Sequence, residues 1–160
     1  MAELDELYRE IILDHYRSPR NRGALESPPA HRAEGFNPLC GDEIVVYVEV
    51  ADGVVANVAT DGQGCSISQS SASLMSAAVK GRPLSEVRRL MAAVRAMFAV
   101  DGADESGDDQ AALHAEDLGE LAAMQGVVKF PARVKCATLS WTTLARSLDE
   151  ADEGGEAPAR

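Results

Sequence analysis

A chain of 160 residues, 46% of them hydrophobic, is long enough to bury one core without disulfides. Its 26 acidic residues outnumber 15 basic ones, and a net charge of −11 repels nucleic acid and anionic membrane surfaces. No apolar run reaches the ~18 residues of a membrane span, and the acidic start Met1-Ala2-Glu3-Leu4-Asp5-Glu6 lacks the basic region of a secretory signal. The expectation is a cytoplasmic protein that engages neither nucleic acid nor membrane.

In chain order, Leu4, Leu7, Tyr8, Ile11 and His15 recur at spacings of three and four, which predicts an amphipathic helix that Ser18-Pro19 ends. The Pro-, Gly- and Arg-rich stretch to His31 reads as an irregular connection within one domain. A meander follows, with strands near 31–35, 43–50 and 54–60, the last two joined by the hairpin signal Asp52-Gly53. After Cys65 the pattern becomes helical, with Ile67, Ser71, Leu74, Met75 and Ala78 on one face. Pro83 opens a second such helix, striped by Val87, Leu90, Met91, Val94 and Phe98.

The run 101–109 is an acidic, glycine-containing surface loop, and a fourth helical pattern covers about 110–124. Gly126 and Pro131 punctuate the approach to a last helix expected over about 135–148, with Trp141, Leu144, Ala145 and Leu148 inward. Residues 149–160 carry charge, glycine and proline with nothing to bury, and are expected to be a disordered acidic tail. The map is that of a single α+β domain over 1–148, built on a small three-stranded antiparallel sheet.

Three cysteines are present, Cys40 in Leu39-Cys40-Gly41-Asp42, Cys65 in Gly62-Gln63-Gly64-Cys65-Ser66, and Cys136 in Lys135-Cys136-Ala137. They lie far apart, so only the tertiary fold can unite them, and an odd, sparse set suits a reducing compartment. The map places Cys65 and Cys136 at helix starts, where unpaired N–H groups favour thiolate, and Cys40 in a loop between Pro38 and Gly41. Asp42 is the natural fourth ligand. Three thiolates and a carboxylate repel one another unless a divalent cation neutralises part of the charge. Zinc fits the count and softness of the set, iron or an iron–sulfur cluster also takes thiolates, and buried free cysteines are the plain alternative.

These cysteine segments, read with Tyr8-Arg9-Glu10-Ile11-Ile12-Leu13-Asp14-His15-Tyr16 and Ser18-Pro19-Arg20-Asn21, resemble the U-type iron–sulfur assembly proteins, which include NifU N-terminal domains, IscU and SufU. The likeness runs from about Leu4 to Leu148 and implies a sheet covered on one side by a cluster of helices. Two departures from the IscU pattern favour the SufU subgroup. Lys135 stands where IscU-type scaffolds have a histidine directly before the third cysteine, and an insertion lies around 100–110.

The resemblance implies a zinc-dependent sulfur acceptor and carrier. It takes persulfide sulfur from a SufS-type cysteine desulfurase and feeds a downstream scaffold such as a SufB-type complex, an accessory sulfurtransferase rather than a free-standing enzyme. Cys40, Asp42, Cys65 and Cys136 would hold the metal, with Cys40 leaving to accept sulfur and Arg133 steadying the released thiolate. The alternatives are a scaffold that assembles a transient iron–sulfur cluster itself and a protein whose zinc is purely structural. His15, His31 and His114 are read as packing or surface residues rather than ligands. Arg17, Arg20, Arg22 and Arg32 form a basic cluster suited to an acidic partner or to solvent.

Overall fold

Valine-rich segments form the second and third strands of a sheet in the order β1-β2-β3 with both pairings antiparallel. The computed structural model describes residues 2–26, 30–38, 41–98 and 119–153. Strand β1 spans His31–Asn37, β2 spans Asp42–Ala51 and β3 spans Val54–Gln63, each longer than its sequence pattern foretold. Asp42, Ile44, Val46 and Val48 point inward from β2 at the period of two that a half-buried strand demands. Between β2 and β3, Asp52 and Gly53 both take positive φ, 55° and 74°, as a two-residue turn matched to strand twist requires.

Among the described residues, four α-helices and a 3₁₀ helix accompany the sheet. Helix α1 is Ala2–Arg17, α2 is Ser66–Val79, α3 is Leu84–Phe98 and α4 is Pro131–Glu153. The stripe expected of α3 is buried at Val87, Leu90, Met91, Val94 and Phe98. Of the helical pattern expected over 110–124, the described part is the 3₁₀ helix Gly119–Lys129. Its Leu121, Met124 and Val127 are buried at the three-residue spacing that stacks side chains on one edge of such a helix. The acidic stretch 101–109 and His114 lie outside the described residues.

Helix α4 differs from its expectation at both ends. It starts at Pro131 rather than near Lys135, because proline suits the first helical position, where its missing N–H costs nothing. It also continues to Glu153, past the expected end at Leu148, with Asp149 within 3.8 Å of Arg88. Residues 154–160 lie outside the described residues.

Contacts to backbone lock α4 to the sheet edge. Ser147 Oγ donates to the carbonyl of His31 at 2.9 Å, and the Arg146 guanidinium donates to that of Glu34. Gly35 lets the helix approach this closely, since a Cβ there would run into Thr143 Oγ1. Helix α2 is packed through small hydroxyls: Ser70, Ser71, Ser73 and Ser76 are buried, and Ser71 Oγ donates to the Ala137 carbonyl at 2.5 Å, tying α2 to α4.

The stretch after α1 is more ordered than its composition suggests. Arg20 N–H donates to Ser73 Oγ, Asn21 Nδ2 to Ser76 Oγ, and Asn21 and Gly23 exchange backbone bonds with Thr60 of β3. No helix among the described residues is long and apolar enough to cross a membrane.

Candidate metal centre

Asp42, Cys65 and Cys136 come together where the first hairpin, the start of α2 and the second turn of α4 meet. The register of β1 and β2 ends at the pair Asn37 and Asp42. Gly41, with φ of 71°, donates its N–H to the Asn37 carbonyl at 2.8 Å, so the chain turns back into β2 and buries the Asp42 side chain completely. Positive φ is what a glycine supplies at such a turn.

Cys65 is the N-cap of α2, with φ of −73° and ψ of 171° and no capping hydrogen bond from its side chain. Its thiol is therefore not committed to the helix. Its N–H donates to Asp42 Oδ1 at 2.9 Å, and Ser68 Oγ donates back to its carbonyl at 3.1 Å. Cys136 is fully buried within α4 rather than at the helix start, which corrects the expectation that a helix N-terminus stabilises its thiolate. A polar neighbour takes that place: Asn37 Nδ2 donates to Cys136 Sγ over 3.7 Å.

One oxygen of Asp42 and the two sulfurs lie within 4.8 Å of one another. A tetrahedral ion with Zn–S bonds of ~2.3 Å spaces its sulfurs by roughly 3.8 Å, so the triad needs only a small contraction to close on one ion. Two observations support a fit to a cation. Asp42 Oδ2 is buried with no hydrogen-bond partner among the described residues, a costly state for a carboxylate oxygen that a metal would relieve. The donors combine soft thiolates with a hard carboxylate, a set suited to zinc or ferrous iron.

The Gly62-Gln63-Gly64 motif makes room for this triad. A Cβ on Gly64 would lie 2.5 Å from Asp42 Oδ1 and 2.6 Å from Ser68 Oγ, and one on Gly62, whose φ is 128°, would strike the Glu43 carbonyl. Cys40, the remaining expected ligand, precedes Asp42 by two positions and lies outside the described residues.

Arg133 is exposed on the first turn of α4 and lines a cavity with Tyr8, Ile12, Ile67 and Phe130, beside the triad rather than within it. Lys135 is exposed as well. His15 is 1% exposed and held by Ser73 and Glu120 at 2.7 Å each, a packing role, and neither it nor His31 joins the triad. The basic cluster is largely self-neutralised, with Arg20 on Asp14, Arg22 near Asp61 and Arg32 on Glu34.

Sequence reasoning overlooked Asn37. The signal was present, since the alternation that buries Ala33 also turns Asn37 inward, and a polar residue there needs a polar partner.

The model of the NifU-like N terminal domain matches residues 7–137. The chain belongs to this family. It is 40% identical over 154 residues to the zinc-dependent sulfurtransferase SufU of Bacillus subtilis, covering 96% of this chain and 97% of that protein. It is also 37% identical to the iron–sulfur cluster assembly scaffold protein IscU of Thermotoga maritima, covering 89% and 92%. Among solved structures, the N-terminal NifU-like protein of Brucella abortus superimposes with a TM-score of 0.73 at 27% identity, over 94% of this chain and 97% of that one. The α+β sheet-and-helix architecture is thus that of NifU-like N terminal domains, and the triad sits on elements within the matched range.

Proposed function

We propose that this protein is a zinc-dependent sulfur carrier that accepts persulfide sulfur from a cysteine desulfurase of the SufS type and passes it to iron–sulfur assembly on a SufB-type scaffold. The observation that carries this reading is the convergence of Asp42, Cys65 and Cys136 within 4.8 Å, with a buried carboxylate oxygen lacking a partner. The zinc-dependent sulfurtransferase from Bacillus subtilis supports it as a relative over nearly the full length of both chains. Cys40, Asp42, Cys65 and Cys136 are the assigned ligands.

When bound, zinc stabilises thiolate without redox chemistry and tolerates a change of ligand. Asp42 is anchored through the Cys65 N–H, and Cys136 is fully buried in the second turn of α4, so both are poor candidates for movement. Cys40 lies in the sequence Pro38-Leu39-Cys40-Gly41, and as a thiolate it attacks the outer sulfur of the partner's persulfide. The partner's S–S bond breaks, its cysteine leaves as thiolate, and Cys40 carries the sulfur as a persulfide. Exposed Arg133, beside the site, is assigned to offset the negative charge of the released sulfur.

A scaffold role is the second reading, favoured by the IscU relatives. Exposed Lys135 weighs against it, because it removes the nitrogen donor that scaffold-type members place before the third cysteine. Native mass spectrometry of the fresh protein, with and without a desulfurase and cysteine, tests the assignment. One zinc and a single-sulfur adduct that Cys40→Ser abolishes are expected; sulfur uptake that survives Cys40→Ser refutes the role of Cys40.

A further inference from the structure

Asn37 ends β1 beside the triad, and its side chain is 5% exposed. Its Nδ2–H points at Cys136 Sγ, its backbone carbonyl accepts the Gly41 N–H, and its partner in the β1–β2 register is Asp42. One residue thus reaches the sulfur on α4 and pairs with the turn that leads into Asp42. A thiolate only accepts hydrogen bonds, so the amide edge that meets it must be the N–H edge.

We propose that Asn37 is a positioning residue of the metal centre, whose amide N–H fixes the Cys136 thiolate as an anchored ligand. The inference rests on the zinc-carrier reading. A hydrogen bond from N–H to an ionised acceptor is roughly twice as strong as a neutral one, and it withdraws charge from the sulfur it meets. In a set of three thiolates and one carboxylate around a divalent ion, that withdrawal offsets surplus negative charge. It also makes the sulfur that receives it the weaker nucleophile, which suits a sulfur meant to stay.

Outer-shell partners of metal ligands contribute about 10–100-fold in metal affinity, and a loss in that range is expected for Asn37→Ala and for the isosteric Asn37→Asp. Zinc competition with a chromophoric chelator reads it, alongside the thiolate-to-cobalt charge-transfer bands of cobalt-loaded protein, which should shift in both variants. Ser71→Ala is the control, since it removes a buried α2–α4 hydrogen bond without touching a sulfur. In wild-type protein loaded with NMR-active cadmium, a through-bond coupling from the metal to the Asn37 side-chain amide protons is expected, and this measurement needs no variant to fold.

Wild-type protein that binds no zinc overturns the carrier reading itself. Stoichiometric zinc in the wild type with no cadmium coupling to Asn37 overturns the positioning role alone. So does a loss of affinity in the Asn37 variants that leaves the cobalt bands where Ser71→Ala leaves them.

Discussion

The backbone N–H of Cys65 holds Asp42 Oδ1 at 2.9 Å, and the other oxygen of the same carboxylate stays buried without a partner among the described residues. One oxygen therefore orients the group while the other remains available. Asp42→Asn separates the two roles, because the amide oxygen still accepts from Cys65 but an NH₂ replaces the ligand oxygen. Zinc affinity should fall by at least the ~10-fold that loss of an outer-shell partner causes, with far-UV circular dichroism unchanged. Equal zinc affinity in competition titrations would remove Asp42 from the ligand set.

Gly64 tests the same carboxylate from the other side. A methyl group there would press on Asp42 Oδ1 and Ser68 Oγ, and both would have to move. Gly64→Ala should cost about 1–3 kcal/mol in urea denaturation, the usual range for overpacking, and should weaken zinc binding as well. Wild-type values for both would mean that the site has room that its geometry denies.

The sheet was legible in the sequence because β2 and β3 are rich in valine and Asp52-Gly53 demands a tight turn. Cys65 at the mouth of α2 was legible too, from the glycines before it and the serine-rich helix after it. The start of α4 was not. Pro131 reads locally as a breaker, and only the chain beyond it shows that it stands at the first helical position, which moves Cys136 into the helix interior. The inward turn of Asn37 could be read from β1, but its contact with Cys136 could not, since that partner is distant in sequence.

His15 joins α1, α2 and the 3₁₀ helix. Nε2 is hydrogen-bonded to Glu120 and Nδ1 to the Ser73 hydroxyl, which also accepts from Arg20 N–H. His15→Ala removes both bonds and opens a cavity at a site 1% exposed, so a loss of about 2–4 kcal/mol is expected in chemical denaturation. Zinc stoichiometry should not change, because the triad lies elsewhere. A full loss of metal with the fold retained would contradict the packing role.

The hydrogen bond from Arg20 holds the Asp14 carboxyl below its ordinary value of 3.8, aided by the positive charges of Arg20, His15 and Arg17. A depressed carboxyl stabilises the folded state above its unfolded pKa, and this contribution disappears as pH falls through the lower folded value. Asp14 is exposed and Arg20 partly so, and the effect on stability is therefore small. Carbon-detected NMR titration should place the Asp14 midpoint lower in wild-type protein than in Arg20→Ala. Identical midpoints would mean that the pair does not persist in solution.

Metal removal should act on stability through the crowded donors. Asp42, Cys65 and Cys136 share a few ångströms, and ionising all of them without a cation sets like charges against one another. Zinc at a hundredfold excess over its Kd contributes about 2.7 kcal/mol, or on the order of 5–10 °C in Tm for a domain of this size. Chelation should reverse that gain. Cys65→Ser removes one anion and one strong ligand, so its metal-free form should be at least as stable as the metal-free wild type while its gain from zinc shrinks. Calorimetry that gives both proteins the same zinc-dependent rise in Tm would show that Cys65 holds no metal.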